Sequence, residues 1–141
     1  MKKNMNIIAT IISIFVLSNS CEKVMEKWYT IKIQNNTDKV IFVSAGCDKY
    51  GLFSYPDTIL TTTKPSLLSV SPNDYNNLRS SIIWEEIVKE QPEGKLSIYF
   101  FNSDTINSYD WAQIKDGNRV MKRIDLSVEE LENMNWTITY P

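Results

Sequence analysis

The sequence predicts a mostly β domain of α+β character, a single small antiparallel sheet or sandwich carrying two or three short helices. Three observations carry this. Period-two alternation recurs along the chain, as in Tyr29-Thr30-Ile31-Lys32-Ile33-Gln34. The segment Lys95 to Asn102 (Lys-Leu-Ser-Ile-Tyr-Phe-Phe-Asn) has strand length and is rich in apolar and aromatic residues. The connections between runs are local and turn-rich, which favours antiparallel neighbours. The 141 residues, 43% of them hydrophobic, suit one domain with a sizeable core and are too apolar for a disordered chain.

Residues 1–20 are read as an export signal and not as part of that domain. Lys2 and Lys3 form a short positive start, and Ile7 to Leu17 is an eleven-residue uncharged run. That run is too short to cross a hydrocarbon core as a helix, which takes about 20 residues. Ser18-Asn19-Ser20-Cys21 follows, with small residues directly before a cysteine. This arrangement resembles the lipobox of bacterial lipoproteins. It departs from the usual pattern in having Ser18 where an aliphatic residue stands. The resemblance implies diacylglyceryl transfer to the Cys21 thiol, cleavage before Cys21 and an anchor of two or three acyl chains, enough for stable attachment. Residues 21–27 are then the lipidated cysteine and a charged tether, and residues 28–141 the globular domain.

The domain reads in order as follows. Tyr29 to Gln34 and Lys39 to Ser44 are strands joined by Asn35-Asn36-Thr37-Asp38, a hairpin with a four-residue loop. Gly46 to Pro56 is a loop. Ile59 to Thr63 and Ser66 to Ser71 are short strands, stopped by Pro65 and Pro72. Asn73 to Arg79 is polar and turn-like. Ile82, Ile83, Ile87 and Val88 take helical spacing around Trp84.

Lys95 to Asn102 is the central strand. Ser108 to Lys115 is a short helix carrying Trp111 and Ile114, and Arg119 to Leu126 is a strand. Ser127-Val128-Glu129-Glu130 is a capping box that opens a helix ending near Met134. Asn135 to Tyr140 is the last strand.

The segments Tyr109-Asp110-Trp111, Val120 to Ser127 and Asn135 to Pro141, together with Asp104-Thr105-Ile106 and Tyr55-Pro56-Asp57-Thr58, resemble a group of small exported lipoproteins of Bacteroidales. The likeness spans most of residues 28–141. That group has no assigned activity, so the resemblance implies a cell-envelope address, most readily the outer membrane, and transfers no catalytic residue. It also implies two candidate O-glycosylation sites, Thr58 and Thr105, each within an Asp-Thr-aliphatic triplet.

Composition narrows the chemistry. The chain has no histidine, which removes the commonest general base and transition-metal ligand. The whole chain carries −2, and residues 1–20 hold two lysines and no acid, which leaves −4 for the remainder and argues against a nucleic-acid partner. Lipidation of Cys21 leaves Cys47 without a disulfide partner, as a small buried hydrophobe or else a reactive thiol. No spacing fits a metal or cofactor site.

Of the four tryptophans, most are expected in the core. Trp84 and Trp111, on short helices, are the candidates for exposed ligand-stacking rings. Glu85/Glu86, Asp104/Asp110 and Glu129/Glu130 are the acid pairs that a histidine-free glycan hydrolase would need. The Asp104/Asp110 pair is placed in a loop after the central strand. The sequence therefore favours a non-catalytic binding or structural module, anchored in the envelope and meeting another envelope protein or a glycan. A carboxylate-dependent hydrolase is the alternative.

Overall fold

The structure is a computed structural model and describes residues 27–46 and 60–141. The signal, Cys21, Cys47 and Thr58 lie outside the described residues. Among the described residues there are seven strands, in two sheets, and four short α-helices. Sheet I has the order β4-β1-β7, from β1 (Tyr29–Asn35), β4 (Tyr75–Ser80) and β7 (Thr137–Tyr140). Sheet II has the order β3-β2-β5-β6, from β2 (Ile41–Gly46), β3 (Leu68–Val70), β5 (Leu96–Asn102) and β6 (Lys122–Leu126). Four short helices join them: α1 (Trp84–Lys89), α2 (Ser103–Ser108), α3 (Trp111–Asp116) and α4 (Val128–Asn133). The fold class is mostly β with α+β character, as the alternation implied.

The two sheets face each other across one core. Ile31 and Ile33 of β1 and Ile138 of β7 meet Ile41, Val43, Val70, Ile98 and Phe100 of sheet II. Helix α1 adds Trp84, Ile87 and Val88, and α4 adds Leu131. Tyr140 stacks on Phe100 with ring centroids 4.9 Å apart. A second, smaller core lies on the opposite face of sheet II, where Tyr99 and Phe101 are covered by Leu60, Trp111 and Ile114. This explains β5. It is apolar at almost every position because helices cover one face and sheet I the other, so Leu96 to Phe101 are all buried. Burying each of its two phenylalanines contributes about 1.5–3 kcal/mol.

Several expectations are corrected. The hairpin over residues 29–44 does not form. β1 pairs antiparallel with β4 and parallel with β7, whereas β2 pairs with β3 and β5. The chain crosses between sheets at Asn35 to Lys39, a connection that alternation cannot distinguish from a turn within one sheet. The polar stretch 73–79 is a strand, β4, whose ladder with β1 runs from Tyr29↔Ser80 to Gln34↔Tyr75. In the 59–63 run, residues 60–63 are not a strand, although Leu60 and Thr61 are buried.

The helix expected at 108–115 is α3, beginning at Trp111, and a further helix, α2, occupies 103–108 where a loop was expected, with Tyr109 and Asp110 in extended backbone between them. β6 begins at Lys122 and not at Arg119. β7 runs parallel to β1 and follows β6 through α4. Asn135 and Trp136 turn the chain back with positive φ of 49° and 54°, and the Lys32 N–H donates to the Trp136 carbonyl at 2.8 Å. The capping box at Ser127 is present in both directions.

Candidate functional site

A groove of about 590 Å³ opens where the two sheets part. Its origin lies in strand lengths. On one side β2 is paired along its whole length with β5, from Ile41 to Gly46. On the other side β3 reaches only Ile41 to Val43. Beyond Leu68 the chain departs through Leu67, Ser66 and Pro65, and a gap is left between Ser44-Ala45 and the edge of β4. Trp84 and Leu78 form apolar parts of the wall, while Asn77, Arg79 and Ser81 bring polar groups. Trp28, half exposed just before β1, stands at the same opening.

Ser44 is the unusual member. It is 2% exposed, and its Oγ has no hydrogen-bond partner. It also borders a second space of about 10 Å³ under Leu60, Tyr99, Phe101 and Trp111. That space is at the lower limit for a water molecule and has mostly apolar walls. The Thr61 carbonyl beside it is already occupied by the Trp111 ring N–H. A buried hydroxyl without a partner costs roughly 1–3 kcal/mol.

The β4 edge is partly capped by its own side chains. The Asn35 N–H donates to the Asp74 carbonyl at 2.9 Å, so by antiparallel alternation the backbone groups of Tyr75, Asn77 and Arg79 point away from β1. Two of those outward N–H groups are taken by side chains. Tyr75 donates to Asp74 Oδ1 at 2.7 Å and Asn77 to Asn76 Oδ1 at 2.8 Å. Asn76 Nδ2 in turn donates to the Ser69 carbonyl at 2.9 Å. These caps protect an exposed edge from pairing with another chain.

The residues singled out from sequence are placed differently from expectation. Trp84 and Trp111 are not exposed. They are 5% and 9% exposed, and their ring N–H groups donate to the carbonyls of Tyr29 at 3.1 Å and Thr61 at 2.8 Å. Each indole finds both an apolar pocket and a backbone acceptor, which draws it inward. Trp111 packs edge-on against Phe101 at 5.9 Å. The exposed tryptophan is Trp28, flagged by its position between the tether and the first strand.

Asp104 is not in a loop but in the first turn of α2, 3.9 Å from Lys39 Nζ, with both side chains largely in solvent. Asp110 caps α3: its carboxylate accepts from the Gln113 N–H at 2.8 Å, and Gln113 Oε1 accepts from the Asp110 N–H at 3.1 Å. Neither acid borders the groove. Glu130 is held by the α4 capping box. Hydrogen bonds from the Ser127 N–H and then its hydroxyl, with nearby Lys95, keep its carboxyl below the ordinary glutamate value, against slight desolvation. Thr105 lies half-buried in α2, and its neighbour Ile106 packs on the second core.

Among the described residues no group of three or more histidines, cysteines and carboxylates could hold a metal ion. Among the same residues, no helix is long and apolar enough to cross a membrane.

No family model, curated protein or solved structure matches this chain.

Proposed function

We propose that this chain is a lipid-anchored cell-envelope module that binds a ligand in the groove between β2, β3 and β4 and does not transform it. The observation that carries the reading is one groove of about 590 Å³ with apolar walls and an exposed tryptophan, Trp28, at its opening. That volume falls within the range of small-ligand sites, which combine apolar walls with a few polar groups. Among the described residues the lining has hydroxyl and amide side chains and no carboxylate, which favours holding a ligand over acid–base hydrolysis. The address rests on the short apolar run Ile7 to Leu17 and on Cys21 placed just after it.

Two comparisons test the reading. Cells producing the native chain or Cys21→Ser are fed a radiolabelled fatty acid and fractionated. The native chain should carry label in the membrane fraction, and Cys21→Ser should carry none. Membrane attachment of Cys21→Ser equal to that of the native chain would refute the anchor. For the groove, native protein and Ser66→Trp are compared on a glycan array and in pull-downs from envelope extracts. Ser66 is an exposed lining residue, so the indole fills the groove without entering the core. Binding that survives this substitution would place the ligand elsewhere.

A further inference from the structure

We propose that the end of the sandwich carrying Trp28 rests on the bilayer surface, with the Trp28 ring in the lipid headgroup layer. This rests on the reading that Cys21 is lipid-anchored, and it adds the surface by which the domain meets the membrane. Chain length is the first argument. Trp28 follows Cys21 by seven residues. A stretch of that length spans at most about 25 Å, so an anchored chain keeps Trp28 within that reach of the lipid whatever path the tether takes. So short a link makes the second contact intramolecular, at an effective concentration of about millimolar, and a weak affinity for lipid then suffices.

The ring itself is the second argument. Trp84 and Trp111 are buried and donate their ring N–H groups to backbone carbonyls. Trp28 is 50% exposed, and among the described residues its ring N–H makes no hydrogen bond. An indole with apolar surface outside the core and a free donor suits the membrane–water interface, where the ring is buried and the N–H meets headgroup oxygens. Trp28 is also firmly joined to the domain. Tyr29, the next residue, opens β1, the middle strand of sheet I, and packs on the main core. Lys27 lies over the Tyr29 ring, its Nζ 5.0 Å from the centroid. Contact at Trp28 therefore orients the whole sandwich.

The neighbours at this end fit a lipid surface. Ser80 pairs with Tyr29 across β4 and β1, and Ser81 follows it. Ser66 and Ser81 are exposed and border the groove opening with Trp28. Their hydroxyls hydrogen-bond phosphate and ester oxygens and carry no charge to be desolvated. The groove opens at the same end, so an occupant enters it from the headgroup layer.

The test uses the full lipidated chain in phosphatidylcholine vesicles, read by tryptophan fluorescence. The native spectrum minus that of Trp28→Phe isolates Trp28, since the chain has four tryptophans and the others are common to both proteins. One set of vesicles carries a nitroxide on the choline headgroup and a second carries bromine at mid-chain. The Trp28 signal should fall at least about twofold with the headgroup nitroxide and clearly less with the mid-chain bromine.

A Trp28 signal that neither quencher touches, on a chain that floats with the vesicles, would overturn the proposal and leave the anchor standing. Stronger quenching by the mid-chain bromine would overturn the headgroup placement. A native chain that does not float with the vesicles would overturn the anchor and the proposal together.

Discussion

Asn35 Nδ2 donates to the Val70 carbonyl across 3.2 Å, joining the last residue of β1 in sheet I to the last residue of β3 in sheet II. The same amide donates to the carbonyls of Lys39 at 2.8 Å and Ser71 at 3.0 Å. Its Oδ1 accepts from the Thr37 N–H at 3.0 Å and from the Thr37 hydroxyl at 2.8 Å. Asn35 is fully buried, so one side chain satisfies the backbone at the point where the chain crosses between sheets.

Replacing it should be costly. Asn35→Ala leaves several carbonyls without a donor and should lower unfolding free energy by about 3 kcal/mol. Asn35→Asp keeps the shape but loses both N–H donors, and should cost at least as much at neutral pH. Urea denaturation of the three proteins measures this; a shift of the Asp variant well below that of the Ala variant would show that shape, not donation, matters at this site.

Ser44→Ala should do the opposite. Removing a buried hydroxyl that lacks a partner should stabilise the chain by roughly 1 kcal/mol. Thermal unfolding reads the change, and a variant less stable than the native chain would contradict the assignment.

Two tryptophans give an internal contrast. Trp111→Phe removes the N–H that the Thr61 carbonyl accepts and should cost about 1–2 kcal/mol. Trp28→Phe, at an exposed position, should change stability little, within ~0.5 kcal/mol. Denaturation midpoints of the two variants decide the matter.

The α4 cap has a pH signature. Glu130 has its folded pKa depressed below its unfolded value by the Ser127 hydrogen bonds. The stability this contributes is fully present above the unfolded value and is lost as pH falls through the folded one. Native protein should therefore show a small decline in stability below the ordinary glutamate range that Glu130→Gln lacks, since the amide keeps the bond to the Ser127 N–H without the charge. Unfolding at several pH values between neutrality and about pH 3 tests it; parallel curves for the two proteins would refute it.

These cases also show what was legible in the sequence. The Ser127 cap and strand β5 are local signals, strong within a few residues, and both are where alternation and spacing put them. The crossing at Asn35 is not local. A loop rich in asparagine and threonine serves a hairpin or a passage between sheets equally well, and only the pairing of β1 with residues 75–80 distinguishes them. β4 was hidden because Tyr75-Asn76-Asn77-Leu78-Arg79-Ser80 has a solvent face and just one apolar residue, Leu78, toward the core. Trp84 and Trp111 looked accessible because their helices are short. Their acceptors lie 55 and 50 residues away in sequence, beyond any window of local pattern. The groove was not readable at all, since it arises from the difference in length between β2 and β3.

The most direct test is native mass spectrometry of the chain isolated from its own membranes, beside Ser66→Trp prepared in the same way. The native chain should carry a small-molecule adduct in addition to any covalent lipid, and Ser66→Trp should carry the covalent lipid alone. An adduct of equal occupancy on both proteins, or on neither, would contradict a ligand site in this groove.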